Sequence, residues 1–321
     1  MLPRACQGRS GTYAAGVTTQ EGPQADVLRW AAVQLGATAA VVSATGMREG
    51  GNPWLLRIDH DGQVIDAVLK TVTPEGVAGM ATEVAALRVA NRAGVPAPRI
   101  LAVDASGEAA GTRAVLETAV PGRSRIPLDA SPQRLRGLGA AVAALHSITT
   151  RPSPELPRRT RPIPASDFAR DRREGRERST PLLDAADDRV TRLPVPDSAP
   201  VLVHGDLWQG NTMWQGDRLT GLLDWDMAGV GHYGIDLSSL RLDAALTFGQ
   251  GAAGSVLDGW EQRSGIEAAD LAYWDAVAAL NMPSDMAEFL PAIHDQGRPD
   301  LTAEELNTRR DAFLRAAIDR L

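Results

Sequence analysis

The stretch that decides the fold reads Val201-Leu-Val-His-Gly-Asp206-Leu-Trp-Gln-Gly-Asn211, then Thr212-Met-Trp-Gln-Gly-Asp-Arg-Leu-Thr-Gly-Leu-Leu-Asp224-Trp-Asp226. The apolar run 201–203 predicts a short strand, which would present Asp206 from a rigid element. Asn211 follows five residues later, and residues 215–217 predict a hairpin that brings the chain back at Asp224. The stretch therefore predicts two carboxylates and an amide that converge on one point. Such oxygen ligands favour a hard cation, Mg²⁺ rather than zinc.

Lys70 is the only lysine among 33 lysine and arginine residues. It ends an apolar, strand-like run, and the helical pattern that follows carries Glu83 at the edge of its apolar stripe. An ammonium on a strand and a carboxylate on the next helix is a pair that kinases use to hold nucleotide phosphates. A coding bias toward arginine could also leave one surface lysine, and Glu83 could instead pair with Arg88. Both interpretations stay open at this level.

Composition predicts a two-lobed globular protein, because 321 residues with 44% apolar content can form two packed units. No stretch approaches 18 consecutive apolar residues, and the first ten residues lack the apolar core of a signal peptide. We therefore expect a cytoplasmic protein with no membrane partner. Cys6 is the only cysteine, so no internal disulfide can form. The net charge of −7 argues against binding to nucleic acid.

Residues 1–24 are predicted to be a flexible tail. Residues 25–120 predict a small sheet with one helix, and residues 121–321 predict a mainly helical unit that begins after Pro121-Gly122. We expect the proline-rich segment 152–164 to be a surface excursion. Residues 170–178 predict a solvated helix or loop of mixed charge, although a role in holding an anionic group stays open.

The motifs His204-Gly-Asp206, Asn211 and Leu223-Asp224-Trp225 resemble, in order and spacing, the signature of the aminoglycoside phosphotransferase and choline kinase family. These proteins are small-molecule relatives of protein kinases. Lys70, Glu83 and a hinge-like segment at 116–122 extend the resemblance over about residues 65–240. The resemblance implies an α+β, two-lobed protein-kinase-like fold. Its small β-rich N-terminal lobe would bind the nucleotide, and its larger helical C-terminal lobe would carry catalysis and the acceptor.

The resemblance also implies a role for each matching residue in the chemistry. Asp206 would accept or orient the proton of the acceptor hydroxyl. Asn211 and Asp224 would hold Mg²⁺ on the nucleotide, while Lys70, steadied by Glu83, would contact the α- and β-phosphates of ATP. GTP in place of ATP is not excluded.

Further residues would support the nucleotide and the catalytic loop. The backbone from Glu117 to Ala119 would bind the adenine edge. The turn 46–52, which includes Gly51 and Asn52, would cover the phosphates, although it lacks a GxGxxG spacing. His204 and Asp236 would be structural supports of the catalytic loop.

Two positions depart from the family pattern. Many relatives have His-Pro where this chain has Trp208-Gln209, and fructosamine kinases carry a similar Leu-Trp there. Asp226 stands where several relatives have glutamate or another residue. It is either a supporting or substrate-binding acid or an ordinary loop residue. The departure at Trp208-Gln209 leaves the substrate more open.

Only eleven residues separate Asp224 from Asp236, which leaves no platform for a peptide. A protein substrate is therefore not expected, and a small acceptor is. The later helices carry acids, among them Asp285 and Glu288, together with Trp260 and Trp274, which would suit a cationic amine. The alternative is that these acids are solvated and the aromatic residues belong to the core.

The sequence thus predicts an ATP- and Mg²⁺-dependent phosphotransferase with an alcohol group as acceptor. We expect an aminoglycoside or related antibiotic first, with a role in resistance. An amino sugar or fructosamine comes second, and a choline-like alcohol third. The alternative from another class is a nucleotide-binding regulatory pseudokinase, which the presence of Lys70, Asp206, Asn211 and Asp224 disfavours.

Overall fold

The N-terminal part of the computed structural model, which describes residues 22–47 and 51–321, is a five-stranded antiparallel sheet with two helices. The elements are α1 (Ala25–Val33), β1 (Ala40–Gly46), β2 (Trp54–His60), β3 (Gln63–Thr71), α2 (Val77–Arg92), β4 (Ile100–Asp104) and β5 (Ala114–Thr118). The strands lie in the order β1-β2-β3-β5-β4. Most of the predicted tail and the centre of the predicted phosphate turn, residues 48–50, lie outside the described residues.

Alternation of side chains along β2 and β3 separates a core face from a cleft face. Leu56, Ile58, Ala67 and Leu69 are fully buried and form one cluster with α1. Lys70 follows Leu69 and therefore points to the opposite face, toward α2. The two strands are joined by a turn at Asp61-Gly62.

The C-terminal part is mainly helical and carries two short antiparallel strand pairs, β6 with β9 and β7 with β8. Its helices are α3 (Pro132–His146), α4 (Phe168–Arg173), α5 (Pro181–Thr191), α6 (Gly234–Phe248), α7 (Ala252–Ser264), α8 (Leu271–Leu280), α9 (Leu290–Asp295) and α10 (Ala303–Ile318). Its strands are β6 (Val201–Val203), β7 (Thr212–Gln215), β8 (Arg218–Leu222) and β9 (Gly229–Gly231).

Two glycines allow α3 and α7 to pack in contact. A Cβ atom on Gly139 would lie 2.0 Å from the carbonyl oxygen of Val256, and one on Gly259 would lie 2.0 Å from that of Arg136. Any larger residue at either position would force the helices apart. The main core cluster forms around this contact and reaches α2 through Leu87.

The proline-rich segment is more than a surface excursion, and that prediction is wrong in part. Val230 N donates to Pro157 O (2.9 Å), and Arg159 N donates to Val230 O (2.9 Å), so residues 157–159 pair with the free edge of β9. Leu156 and Ile163 are buried. The sequence could not show this pairing because it joins segments about seventy residues apart.

The arginine-rich segment is also only partly solvated, contrary to prediction. Arg172 is buried on α4, where its guanidinium donates to Met282 O (2.9 Å) and to Leu280 O. Arg173 forms a close ion pair with Asp187 of α5. These contacts give the arginines a structural role in fastening α4 to the C-terminal helices.

Across the described residues, no helix is both long enough and apolar enough to span a bilayer.

Candidate active site

Asp206 follows β6 and lies in a buried loop, with only 2% of its surface exposed. The side-chain amide of Asn211 donates to the Asp206 carboxylate (3.1 Å) and to its backbone oxygen (2.8 Å). Burial, together with the charge of Asp224, raises the pKa of Asp206 to about 6. A carboxylate with such a pKa is suited to accept a proton near neutral pH.

Asp224 follows the β7–β8 hairpin and returns beside Asn211, as predicted. Leu223 N donates to Asn211 O (2.8 Å), which ties the two loops together. Asp224 has a φ of 67°, in the left-handed region that non-glycine residues rarely adopt. Such a conformation persists where the surrounding structure fixes it, often at functional sites. The predicted convergence of Asp206, Asn211 and Asp224 is thus supported by the backbone that carries them.

Gly205 explains why the loop reads His-Gly-Asp. Its φ is 82°, and a Cβ atom there would lie 2.2 Å from the carbonyl oxygen of Met227. Only glycine allows the Asp206 loop to pass this close to the loop after Asp224.

Asp236, in the first turn of α6, holds this loop from behind. Its carboxylate is fully buried and accepts from the backbone N–H groups of His204 (2.6 Å) and Gly205 (2.9 Å). His146 of α3 donates Nε2–H to the same carboxylate (3.2 Å) and accepts at Nδ1 from Trp260 of α7 (3.0 Å). No role was predicted for His146 from the sequence, and Trp260 was considered only as an aromatic residue that could bind the acceptor or belong to the core. A histidine ending the apolar face of a predicted helix was the available signal for the first.

The ring of His204 connects the Asp206 loop to the loop that carries Asp224. Its Nε2–H donates to Leu223 O (2.8 Å), and its Nδ1 accepts from Asp206 N (3.4 Å). Burial lowers the pKa of His204, which keeps the ring neutral with its proton on Nε2. These contacts support the predicted structural role of His204, and those of Asp236 support its role in the same way.

We expect Asp236→Asn to lower the free energy of unfolding by about 3 kcal/mol, because it removes a buried charge that two backbone donors and His146 share. Urea unfolding measures the change. Asp258→Asn is a suitable control, since Asp258 is exposed and its ion pair with Arg136 lies at the surface. Equal stability losses in the two variants would contradict the supporting role of Asp236.

Lys70 on β3 contacts two carboxylates. Its ammonium forms an ion pair with Glu83 of α2 and lies 3.3 Å from Glu117 of β5. Burial alone would lower the pKa of Lys70, but Glu117, Glu83 and Asp224 together outweigh burial and raise it. Lys70 therefore stays charged, and its setting disfavours the interpretation as a surface lysine left by coding bias.

Glu117 differs from its predicted role, in which only its backbone was considered. Its side chain is 2% exposed and faces Lys70. Burial chiefly raises the pKa of Glu117 to about 7, although Lys70 opposes the change. The adjacent backbone is already engaged, since Thr118 N donates to Arg99 O (2.9 Å) and Ala119 N to Asp66 O (3.4 Å). The binding of adenine by the backbone from Glu117 to Ala119 stays a prediction.

Gly51 and Asn52 end the predicted phosphate turn next to β3. The Asn52 amide donates to Thr71 O (3.0 Å), and Thr71 N donates to Asn52 Oδ1 (2.9 Å). Gly51 is buried against the ring of Trp54. The turn is thus anchored one residue beyond Lys70.

Asp226 lies against α2, where a Cβ atom on Gly79 would be 3.3 Å from its own Cβ. It borders a groove of about 340 Å³ that Thr82 and Arg159 also line. Burial and the charge of Asp224 raise the pKa of Asp226 to about 7. Trp208 packs its ring over Gly210, inside the loop between Asp206 and Asn211. Both residues lie near the predicted catalytic groups, and their contact with an acceptor stays a prediction.

Other predicted acceptor residues lie elsewhere on the C-terminal helices. Asp285 is exposed and accepts from Ala287 N (3.0 Å), and Glu288 is exposed nearby. No hydrogen bond or ion pair joins either acid to the Asp206 loop in the part of the chain described. Asp275 is fully buried in an ion pair with Arg241, and Trp260 and Trp274 belong to the buried interior. Trp260 and Trp274 are therefore core residues, as the alternative interpretation of the sequence predicted.

The metal prediction rests on a small ligand set. Among the described residues, no group of three or more His, Cys, Asp or Glu side chains could hold a metal ion. Mg²⁺ in kinases is held by one or two side chains together with phosphate oxygens. The oxygen atoms that Asn211 and Asp224 offer fit that mode of binding.

A two-lobed fold with a buried carboxylate, an amide and a second carboxylate at the interlobe loops defines a small-molecule kinase architecture. The sequence profile of the phosphotransferase enzyme family matches residues 46–280, and the chain belongs to this family. No curated protein matches the sequence significantly.

Solved structures resemble the chain over most of its length. A protein from Ralstonia eutropha JMP134, provisionally named an aminoglycoside phosphotransferase, has 15% identity and a TM-score of 0.60, covering 91% of this chain and 95% of its own. A thermostable mutant of aminoglycoside phosphotransferase APH(4)-Ia, bound to AMP-PNP and hygromycin B, has 16% identity and a TM-score of 0.58, covering 91% and 99%. A protein from Thermobifida fusca YX-ER1, provisionally named a fructosamine-3-kinase, has 22% identity and a TM-score of 0.56, covering 91% and 98%.

At these identities the similarity shows the fold. The predicted α+β, two-lobed protein-kinase-like fold is confirmed, as are the family and the assignment as a phosphotransferase.

Proposed function

We propose that this protein is an ATP- and Mg²⁺-dependent O-phosphotransferase that acts on a hydroxyl group of a small, amine-bearing molecule. One observation carries the proposal: the Asn211 amide holds the buried carboxylate of Asp206, and the Leu223–Asn211 backbone bond returns Asp224 beside them. An aminoglycoside or related antibiotic is our first candidate acceptor, with resistance as the role and the cytoplasm as the location. An amino sugar, a fructosamine or a choline-like alcohol follows.

In this mechanism Asp206 accepts or orients the hydroxyl proton of the acceptor. The Asn211 N–H group fixes the Asp206 carboxylate, and the buried loop excludes water from it. Lys70 binds the α- and β-phosphates, and Asn211 and Asp224 offer oxygen atoms to the metal. Mg²⁺ when bound neutralises charge on the phosphate oxygens. The transfer breaks the bond between the γ-phosphorus and the bridging oxygen, forms a phosphorus–oxygen bond to the acceptor, and leaves ADP.

The small acceptor is supported by the segment after Asp224. Residues 228–232 are all buried and include β9, which pairs with β6 and with residues 157–159. This segment is occupied in building the core and offers no exposed docking loop. An amine-bearing acceptor is supported by the acids near Asp206, where Asp224 and Asp226 add negative charge.

The pH dependence of the reaction should follow Asp206. Its pKa is raised to about 6, and only the deprotonated form can take a proton, so activity is lost as the pH falls through 6. We expect kcat/KM for the acceptor, at saturating ATP, to rise about tenfold between about pH 5 and about pH 7. A flat profile over this range would exclude Asp206 as the titrating base.

ADP formation measured with and without acceptors tests the proposal against a regulatory pseudokinase. A phosphotransferase forms ADP faster when a suitable aminoglycoside, amino sugar, fructosamine or choline is added with Mg-ATP. If ATP binds and none of these acceptors stimulates ADP formation, the pseudokinase becomes the better account.

A further inference from the structure

The environment of Lys70 holds more negative charge than the ammonium can neutralise. Glu83 pairs with Lys70 from α2, and Glu117 pairs with it from β5 at 3.3 Å. Both acids are at least nine-tenths buried. In the described part of the chain, neither acid has an ion pair with another cation. The two carboxylates therefore depend on one lysine.

Strand register explains how Glu117 reaches Lys70. Glu117 lies opposite Val68 and Val115 lies opposite Lys70, so Glu117 and Lys70 are diagonal neighbours on one face of the sheet. Long side chains meet across such a diagonal. Glu83, in contrast, reaches Lys70 from a helix. The two acids thus hold the lysine from different elements.

This inference rests on the proposed function. We propose that Glu117 is a positioning residue that holds Lys70 in the nucleotide-free protein and competes with the phosphates of ATP for it. Phosphates that approach Lys70 meet a buried carboxylate of the same sign as their own. Binding must therefore weaken the Glu117 contact, while Glu83 keeps the lysine in place. Glu117 then reduces the affinity for nucleotide, and Glu83 increases it.

Binding of ATP with Mg²⁺, measured by calorimetry on the full chain at about pH 8, tests the inference. We expect Glu117→Gln to lower the Kd for ATP about tenfold, because the amide keeps the shape and removes the charge. Glu83→Gln is expected to raise the Kd. In turnover assays the effect of Glu117→Gln should fall on KM for ATP rather than on kcat, a split that a purely structural role would not produce.

Asp61→Asn is the matched control. It makes the same change in net charge within the same sheet, but at the exposed β2–β3 turn, at the other end of β3 from Lys70. Asn tolerates the φ of 54° at this position. The Kd for ATP should not change in this variant. Glu117→Leu provides a second, uncharged side chain, for which we also expect a lower Kd.

The pH dependence of ATP binding provides a third test. The charged groups that face Glu117 are Lys70 of β3, Glu83 of α2 and Asp224 of the loop after β8. Because burial raises the pKa of Glu117 to about 7, we expect Glu117 to carry less charge at about pH 6, where the difference in Kd between the native protein and Glu117→Gln should shrink.

An unchanged or higher Kd in both Glu117 variants, with native protein that binds ATP, would overturn the inference and leave the proposed function standing. Native protein that binds no ATP at all would overturn the proposed function itself.

Discussion

Replacement of Asp206 by asparagine is expected to lower kcat by about 100- to 10,000-fold, which is the usual contribution of a positioned general base. Asparagine has the same shape, but its amide cannot accept the hydroxyl proton. The buried loop is held by Asp236 and His204 rather than by Asp206 itself, so the fold should survive. ATP binding, measured by calorimetry, should change little.

Asp243→Asn is the control for Asp206→Asn. Asp243 is a half-buried acid near the same loop whose pKa is raised by desolvation to about 7, and it accepts from Gln209 N (2.9 Å). Its amide variant should lose far less activity, because Asp243 only supports the loop. If the kcat of Asp206→Asn stays within about tenfold of the native value, Asp206 is not the general base.

Replacement of Lys70 by alanine should lower kcat/KM for ATP by about 30-fold or more, because loss of one partner of a buried charge pair costs about 2–5 kcal/mol. The loss should appear mainly in KM for ATP. Lys70→Arg keeps the charge but not the compact ammonium, so it should recover only part of the affinity. Unchanged ATP kinetics in Lys70→Ala would support the alternative interpretation, in which a coding bias toward arginine left this one lysine by chance.

Lys70→Ala should also reduce stability by about 3 kcal/mol, because it leaves Glu83 and Glu117 as buried acids without a cation. The loss depends on pH in a definite direction. When the pKa of an acid is raised in the folded state, the folded protein is more stable with that acid protonated. The stability of the protein is therefore retained at low pH and lost as the pH rises. The thermal unfolding temperature of the variant, relative to that of the native protein, should therefore be higher at about pH 5 than at about pH 8.

The parts of the site that sequence could predict are those fixed by local geometry. Asp206 and Asn211 lie five residues apart in one loop, and a hairpin of known turn length brings Asp224 back to them. Lys70 and Glu83 lie on a strand and the helix that directly follows it. In each case short connections leave the side chains little choice of position.

The parts that sequence missed depend on contacts between distant segments. The side chain of Glu117 meets Lys70 only because β5 pairs with β3, and the sequence does not state that register. The chain from Trp260 through His146 to Asp236 joins three helices. Residues 157–159 joined β9 although prolines around them predicted a surface loop, because burial of Leu156 and Ile163 outweighed local preference.

Transfer of a phosphoryl group to a small acceptor is the central claim, and mass spectrometry of the acceptor tests it most directly. A pooled panel of aminoglycosides, peptide antibiotics, amino sugars, fructosamines and choline is incubated with Mg-ATP and the native protein, and in parallel with Asp206→Asn. We expect one compound or one chemical class to gain the mass of a phosphoryl group with native protein only. A gain of equal size with Asp206→Asn, or no gain on any compound although ATP binds, would contradict the claim.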